Sequence, residues 1–406
     1  MNICRSFRSE FRCVCLLAAI VFMIGFPANS RSQESPHVIV IGEVQGASNT
    51  VTSLLQHLQL IDDGAHWSGG DTVLVQTGDF MDKGENVRQV LDLFMRLQKE
   101  AAAAGGRVVV LMGNHEILNI LGELRDVNYM TYQTFAGQGS EQRQAEYYEQ
   151  YVAWRAERAK ANSTTFTVDE NFKTEWLAAH PAGWVEYMES MRPDGVYGKW
   201  LRTLPVAVII DDVLYVHAGI SPEMNGITVE QMNQQAAEEI ATFDAGRELM
   251  VAEGLALPLS TAREMVAVVD EEIDFINAIP ERKRTRRNIR VDTGLKVQHL
   301  GRWGSWSVLA EDGPLWFCGP AKWNEEEHRQ EMAEILDNLG VERLVSGQSD
   351  GLEHVIRTRF DDRVILTSVD MSDDQWAGGG KPAALDIQGG GFSVVTLQGR
   401  EALINE

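Results

Sequence analysis

Three short apolar runs, with an amphipathic stretch between each pair, constrain this chain more than any other feature. His37 to Ile41, Thr72 to Gln76 and Arg107 to Met112 read as strands. Between the first two, Asn49 to Leu60 carries Val51, Leu54, Leu55 and Leu58 at helical spacing. Between the second and third, Val87, Val90, Leu91 and Phe94 share a helix face that Gly105-Gly106 ends. Such a β-α-β-α-β series implies an α/β fold with parallel strands and right-handed crossovers. Ligand sites in these sheets gather in loops at the carboxyl ends of the strands.

From about Leu118 to Lys199 the pattern turns helical, polar and rich in Tyr and Trp, as an insertion or cap would. Val206 to His217 returns to strands through an Asp211-Asp212 turn, and a second helical, charged stretch runs from about Thr228 to Asn288. Glu325 to Leu339 reads as a helix with Met332, Ile335, Leu336 and Leu339 on one side, closed by Gly340 and followed by a short strand, Arg343 to Ser346. His354 to Asp370 and Gly391 to Ile404 alternate like antiparallel strands, and Gly378-Gly-Gly380 reads as a flexible loop. Residues 37–406 are expected to form one domain, with 118–199 and 228–288 as helical insertions.

The amino terminus is a separate object. Arg5, Arg8 and Arg12 precede a charge-free run, Val14 to Phe26, and Pro27-Ala-Asn-Ser30 supplies small residues for cleavage, so residues 1–30 read as a secretory signal peptide. An uncleaved anchor is the alternative, but the run falls short of the roughly 20 residues a bilayer span needs. Losing that segment removes three Arg and one Glu, making the formal charge of -23 two units more negative. A charge of that sign repels nucleic acid and anionic membrane surfaces. We therefore expect no nucleic-acid partner and no stable membrane insertion after cleavage. Three of the four cysteines leave with the segment, Cys318 then stands alone, and no intrachain disulfide is expected. Export and cysteine usage together fit a periplasmic location.

Each strand of the series ends in a polar loop. The first is Ile41-Gly-Glu-Val-Gln-Gly46, the second Gly78-Asp-Phe-Met-Asp-Lys-Gly84, the third Gly113-Asn-His-Glu116, and the later pair of strands ends in Val216-His-Ala-Gly219. Singly these are weak signals, because a strand-end Asp is often a helix cap and a buried His is usually a satisfied core residue.

In this order the loops resemble the signature of the calcineurin-like metallophosphoesterases, which reads GDxHG, GDxxDRG, GNHE, a later HG or HAG, and a final GH. The match spans about residues 38 to 350. Leu121-Gly-Glu-Leu-Arg-Asp126 and Gly313-Pro-Leu-Trp-Phe317 look most like the bacterial branch called Shewanella-like protein phosphatases. The resemblance implies a four-layer sandwich, two packed mixed β-sheets flanked by helices, with the tail in the second sheet and a two-metal site between the loops. Two divalent ions about 4 Å apart would activate a water and clamp phosphate oxygens. It further implies that Asp79 bridges both ions and that Asn114 and His217 hold the second. His115 would donate a proton to the leaving oxygen or steady the charge there, and Asp82 would orient it.

Against that pattern, Glu43 and Gln45 stand where the first ion expects Asp and His. Glu43 is one methylene longer and reaches an ion only if the loop shifts, while Gln45 offers a neutral carbonyl oxygen. Ser346-Gly-Gln-Ser349 likewise puts Gln348 where the second ion expects His. Lys83 replaces the arginine of GDxxDRG, keeping charge but losing its two-pronged donor geometry. Pro314-Leu-Trp-Phe-Cys318 puts a thiol where a phosphate-binding arginine is expected, although Cys318 as a small buried hydrophobe is the plainer alternative. Losing a ligand costs roughly one or two powers of ten, if it behaves like loss of an outer partner or worse. Of the divalent ions such a scaffold could take (Mn, Mg, Fe, Zn or Ca), this oxygen-rich set suits magnesium, manganese or calcium best, at reduced occupancy.

Two readings remain. One is an exported phosphoesterase homologue with weak or lost hydrolysis of phosphorylated small molecules or phosphoproteins, in the limit a pseudophosphatase. The other is an active, specialised phosphatase using a reduced site around Asp79, Asn114 and His217. Arg282-Lys-Arg284 and Arg286-Arg287 read as a solvated face, or as a basic lip for phosphorylated partners.

Overall fold

The strands of the opening series are almost wholly buried, and alternate side chains point to two different interiors. The computed structural model describes residues 35–284, 289–348, 355–369, 371 and 381–404; residues 1–30, Arg286-Arg287 and Gly378-Gly-Gly380 lie outside them. The series is β1 (Val38–Ile41), α1 (Ser48–His57), β2 (Val73–Gln76), α2 (Val87–Ala104), β3 (Arg107–Val110) and α3 (Asn114–Leu121). β1, β2 and β3 pair in parallel. The first insertion supplies α4 (Tyr129–Phe135), α5 (Ser140–Ala161), α6 (Glu170–Ala179), α7 (Trp184–Ser190) and α8 (Val196–Leu201). Next come β4 (Ala207–Ile210) and β5 (Val213–Val216), then α9 (Val229–Ala252), α10 (Ala262–Ala278) and α11 (Ile289–Val297). A short α12 (Gly319–Lys322) and α13 (Glu325–Leu339) lead to β6 (Arg343–Ser346), β7 (Arg357–Arg359), β8 (Val364–Leu366), β9 (Ala383–Gln388), β10 (Gly391–Thr396) and β11 (Gly399–Ile404).

The strands form two mixed sheets, ordered β11-β10-β9-β1-β2-β3 and β4-β5-β6-β8-β7. Val40, Val75 and Leu385 of the first pack with Val213, Tyr215, Val345 and Ile365 of the second, which is the core between the sheets. Ile39, Ile41 and Leu74 face the other way, onto Leu54, Leu91 and Phe94 of α1 and α2. The second sheet turns Leu214, Leu344 and Leu366 toward the helical side, in one cluster with Met332, Ile335 and Leu336 of α13. The result is the expected α/β sandwich of two mixed sheets flanked by helices.

The two insertions are tied together by charge. Arg158 of α5, buried, donates to Glu272 (2.8 Å) and Glu271 (2.5 Å) of α10, and Arg290 of α11 donates to Glu272 at 2.8 Å. Such a buried cluster fixes which surfaces meet more than it adds net stability. Arg282-Lys-Arg284 is exposed, as a solvated face would be.

Several expectations need correction. The tail does not all join the second sheet: β7 and β8 do, whereas β9, β10 and β11 extend the first, with β9 antiparallel to β1. β9 itself falls between the two stretches expected to be strands. Its sequence, Ala-Ala-Leu-Asp-Ile-Gln, is poor in strand formers, and its Asp386 is buried because His37 (3.0 Å) and Arg400 pair with it. The second helical stretch continues past Asn288 into α11 and a 3-10 segment, Gln298–Ser305, where Gly294, Gly301 and Gly304 weaken the helical signal. Before the first insertion, α3 already occupies Leu118, so the inserted helices begin at Tyr129.

The carboxyl end of β1 approaches the residues after β8 with no room for a side chain. A Cβ on Gly42 would lie 2.0 Å from the Thr367 carbonyl oxygen. Gly42→Ala is therefore expected to lower unfolding stability by about 1–3 kcal/mol, as overpacking does, measured by urea denaturation; an unchanged midpoint would show that the two strand ends can separate freely.

Candidate active site

Backbone hydrogen bonds join the first two loops into one unit. The N–H groups of Val44 and Gln45 donate to the Asp79 carbonyl at 3.1 and 3.0 Å, Gly46 N–H donates to Phe80 at 3.0 Å, and Gly84 N–H returns to Gln45 at 2.9 Å. The Gln76 amide adds bonds to the carbonyls of Gly42 (3.1 Å) and Gly78 (2.6 Å). The loop after β2 pays for this closeness in backbone conformation: Asp79, Asp82 and Lys83 have φ of 57°, 65° and 51°, and Gln45 in the first loop has 47°. Non-glycine residues adopt this region at a cost of about 1–3 kcal/mol each and persist there only when their surroundings demand it.

Glu116 makes that demand. Its carboxylate is fully buried and accepts four backbone N–H groups, from Asp79 and Gly113 on one oxygen (both 2.8 Å), and from Phe80 (3.1 Å) and Met81 (3.0 Å) on the other. Burial and the neighbouring Asp79 charge push its carboxyl up to about 8. Yet both oxygens face donors, so the ionised form is the one this loop is built around. Gly113 permits the contact, because a Cβ there would lie 2.3 Å from Asp79 Oδ1.

The start of α3 then delivers His115. Its backbone N–H donates to Asp79 Oδ1 (3.1 Å), its Nδ1 to Asp82 Oδ2 (2.8 Å), and its Nε2 lies 3.8 Å from Asp79 Oδ2. Asp82 is held on its other oxygen by the Asn119 amide at 2.8 Å, and the Asn119 carbonyl oxygen accepts from the Tyr187 hydroxyl of α7. This makes a buried line, Tyr187 to Asn119 to Asp82 to His115, with every hydrogen bond satisfied. Burial disfavours the imidazolium, but Asp79 and Asp82 outweigh it and raise His115 to about 10. Burial likewise pushes the Asp79 carboxyl up, and His217 and His115 bring it below the ordinary carboxylate range.

On the opposite side stands His217, at the end of β5 and fully buried. Its Nδ1 donates to the Thr77 carbonyl at 2.9 Å, and its Nε2 lies 3.5 Å from Asp79 Oδ1. The chain after β6 folds onto this residue, with the N–H groups of Gly347 and Gln348 both donating to the His217 carbonyl (2.9 and 2.8 Å). His217 Nε2, Gln348 Oε1 and Gln45 Oε1 are buried atoms without a hydrogen-bond partner. In the first loop Gln45 Nε2 donates to Glu43 Oε2 at 2.6 Å, and Ser368 Oγ donates to Glu43 Oε1 at 3.3 Å.

The loops that carry Asp79, Asn114, His115, His217, Glu43, Gln45 and Gln348, far apart in the chain, are thus bonded to one another. Among the described residues no group of three or more His, Cys, Asp or Glu side chains is placed to hold a metal ion. Besides Asp79, the candidate ligands are the Asn114, Gln45 and Gln348 amides, the His217 imidazole and the Glu43 carboxylate. Lys83 is half-buried and lines a cavity of about 370 Å³ with Gly46, Ser48, Asn86 and Asn128. Cys318 is half-buried, its thiol donating to the Trp316 carbonyl at 3.2 Å, and burial raises its pKa. Its segment packs on the His217 loop through Pro314, whose carbonyl accepts Ala218 N–H at 3.1 Å. Three residues escaped the sequence reading. Glu116 carried a signal in its place three residues after the helix cap Gly113, and Asn119 in its i+4 spacing from His115; Tyr187 carried none.

A two-sheet α/β sandwich whose strand-end loops bring Asp79, Asn114, His115 and His217 together has the architecture of a metallophosphoesterase. The chain belongs to the calcineurin-like phosphoesterase family, whose family model matches residues 36–253. Among curated proteins it is 27% identical over 228 residues to Shewanella-like protein phosphatase 2 of Arabidopsis thaliana, covering 54% of this chain and 55% of that one. It is 25% identical over 203 residues to Shewanella-like protein phosphatase 1 of Plasmodium berghei, covering 50% and 44%. The match therefore spans about half the length of these relatives. Among solved structures, the cold-active protein-tyrosine phosphatase of a psychrophilic Shewanella species superposes with a TM-score of 0.55 at 22% identity, over 91% of this chain and 81% of that one. That likeness is one of fold. No helix among the described residues is long and apolar enough to cross a membrane.

Replacing Glu116 by Gln keeps the shape but turns an NH2 group toward two of the four backbone donors. Glu116→Gln is expected to lower stability by about 2–4 kcal/mol, and Tyr187→Phe by about 1–2 kcal/mol through the acceptor it leaves on Asn119. Urea denaturation of each variant measures this, and equal midpoints for Glu116→Gln and the unaltered chain would show that the loop keeps its conformation without the carboxylate.

Proposed function

We propose that this chain is a slow, metal-dependent phosphomonoesterase of the Shewanella-like phosphatase type, acting on phosphorylated small molecules or phosphoproteins. The observation that carries the reading is the buried line from Tyr187 to His115, which aims a protonated imidazole at the side of Asp79. A reaction that releases an alkoxide or phenoxide needs an acid of this kind.

The donor set fits a divalent ion on one side of Asp79. His217 presents Nε2 with its other nitrogen committed to a backbone carbonyl, the arrangement usual for a histidine ligand. Asp79, Asn114, His217 and Gln348 would hold the ion, with magnesium, manganese or calcium preferred by so many oxygens. When bound, such an ion supplies Lewis acidity toward a phosphoryl oxygen and lowers the pKa of a coordinated water.

The chain's own residues do the rest. Lys83 attracts the phosphate as a point charge, without the fork an arginine would offer. The Asn114 amide donates to a phosphoryl oxygen or accepts the ion. His115 Nε2–H protonates the leaving oxygen, and Asp82 keeps the imidazole charged and oriented through Nδ1. Turnover is reduced because Glu43, Gln45 and Gln348 stand where stronger ligands are expected, and because Cys318 carries no charge for the phosphate.

The test is hydrolysis of p-nitrophenyl phosphate and of phosphopeptides with manganese and with magnesium. We expect low but measurable turnover, lost in Asp79→Asn and reduced about 10²–10⁴-fold in His115→Ala. Combining Glu43→Asp, Gln45→His, Gln348→His and Cys318→Arg is expected to raise it. Turnover that is absent, or that survives Asp79→Asn, would defeat the reading; in the first case a pseudophosphatase that only binds phosphate would take its place.

A further inference from the structure

Arg247 of α9 is a buried cation outside the loops around Asp79. It is 6% exposed, and its Nε and Nη2 are buried with no hydrogen-bond partner. Phe243, one turn earlier, covers a face of the guanidinium at 4.6 Å and is itself stacked on Trp303. A ring offers its π-face and no acceptor in the guanidinium plane, so these N–H donors stay unmet. The neighbouring carboxylate is taken, because Asp244 receives Arg202 on both oxygens, at 2.6 and 2.8 Å. Burial lowers the Arg247 pKa to about 10, which leaves the group charged at neutral pH. A buried charge with neither counter-ion nor hydrogen bonds is strongly unfavourable.

Beside it is an open cavity of about 340 Å³, lined by α5, α7 and the segment at Pro258 and Leu259. The Arg247 charge acts on Tyr147, and that of Arg192 acts on Arg247; both Tyr147 and Arg192 line the cavity. The other lining charges are already matched. Glu189 pairs with Arg143, Glu146 accepts from Gln142 at 2.8 Å, and Arg192 turns to Asp194 (3.2 Å) and to the Pro258 carbonyl (3.1 Å). What remains is one positive charge with two unmet donors. Nε and Nη2 form one edge of the planar guanidinium, spaced to take two oxygens of a carboxylate or a phosphate at once.

We propose that this cavity binds a small ligand through a phosphate or carboxylate group, held on the Nε–Nη2 edge of Arg247 beside Tyr147. Its volume lies within the range of small-molecule sites. None of these residues belongs to the loops around Asp79, so the site is independent of the reaction proposed above and its test does not depend on turnover.

The full chain, freed of divalent ions with a chelator, is titrated calorimetrically with inorganic phosphate and, separately, with acetate. One equivalent of at least one ion is expected to bind, and the ion that binds more tightly identifies the head group. Arg247→Met should weaken that binding at least about 10-fold, while Lys83→Ala, in the cavity of the first two loops, should leave it unchanged. Without ligand, Arg247→Met is expected to unfold at an equal or higher urea concentration, because it removes an unpaired buried charge at similar volume. Arg247→Lys keeps the charge but loses the two-donor edge, so it should also weaken binding, and it serves as the readout if Arg247→Met fails to fold. Binding of neither ion, binding that survives both Arg247 substitutions, or binding that Lys83→Ala abolishes would overturn the proposal.

Discussion

The site depends on one carboxylate that never touches its chemistry. Glu116 accepts four backbone N–H groups and so holds the loop after β2 in a left-handed path that its residues would otherwise avoid. That path turns the Asp79 side chain toward α3 and puts Asp82 one hydrogen bond from His115. Because the same loop is bonded to the first loop through the Asp79 and Phe80 carbonyls, the position of Gln45 also follows from it. A charge buried this deeply is tolerated because each oxygen has two donors, which replaces the hydration it gave up.

The groups around Asp79 are chemically unlike one another. The His115 imidazole is oriented by Asp82 through Nδ1, and His217 Nε2 lies 3.5 Å from Asp79 Oδ1 with its Nδ1 bonded to the Thr77 carbonyl. In the first loop Gln45 Nε2 donates to Glu43, Ser368 Oγ donates to the other Glu43 oxygen, and Gln45 Oε1 is a buried acceptor without a hydrogen-bond partner.

Much of this was legible from local pattern. β1, β2 and β3 alternate with helices whose apolar spacing is regular, and α13 ends at Gly340 in a left-handed conformation, as a glycine stop should. The loops could be ordered by their residues because each sits at a strand end. What stayed hidden depends on contacts distant in sequence. β9 is a strand because β1 and β10 flank it and because His37 and Arg400 neutralise Asp386, and none of these is visible in Ala383–Gln388 alone. The division of the tail between two sheets has the same origin. Within the site, Glu43 and Gln45 stand out in the first loop, but that they bond to each other depends on the loop's backbone. Tyr187, 68 residues from Asn119, has no local mark of its role.

The insertion that supplies Tyr187 is therefore no decoration on an otherwise independent sandwich. Its helix α7 rests on Tyr132 and Phe135 of α4 through edge-on ring contacts at 5.4 and 5.0 Å, so the hydroxyl is located by aromatic packing outside the sandwich. Grafting a foreign cap onto these sheets would cut the far end of the support of His115, however well the new segment folded. Cap and catalytic loops in this chain must vary together, and a drift in the aromatic packing would be felt first as a loosened imidazole.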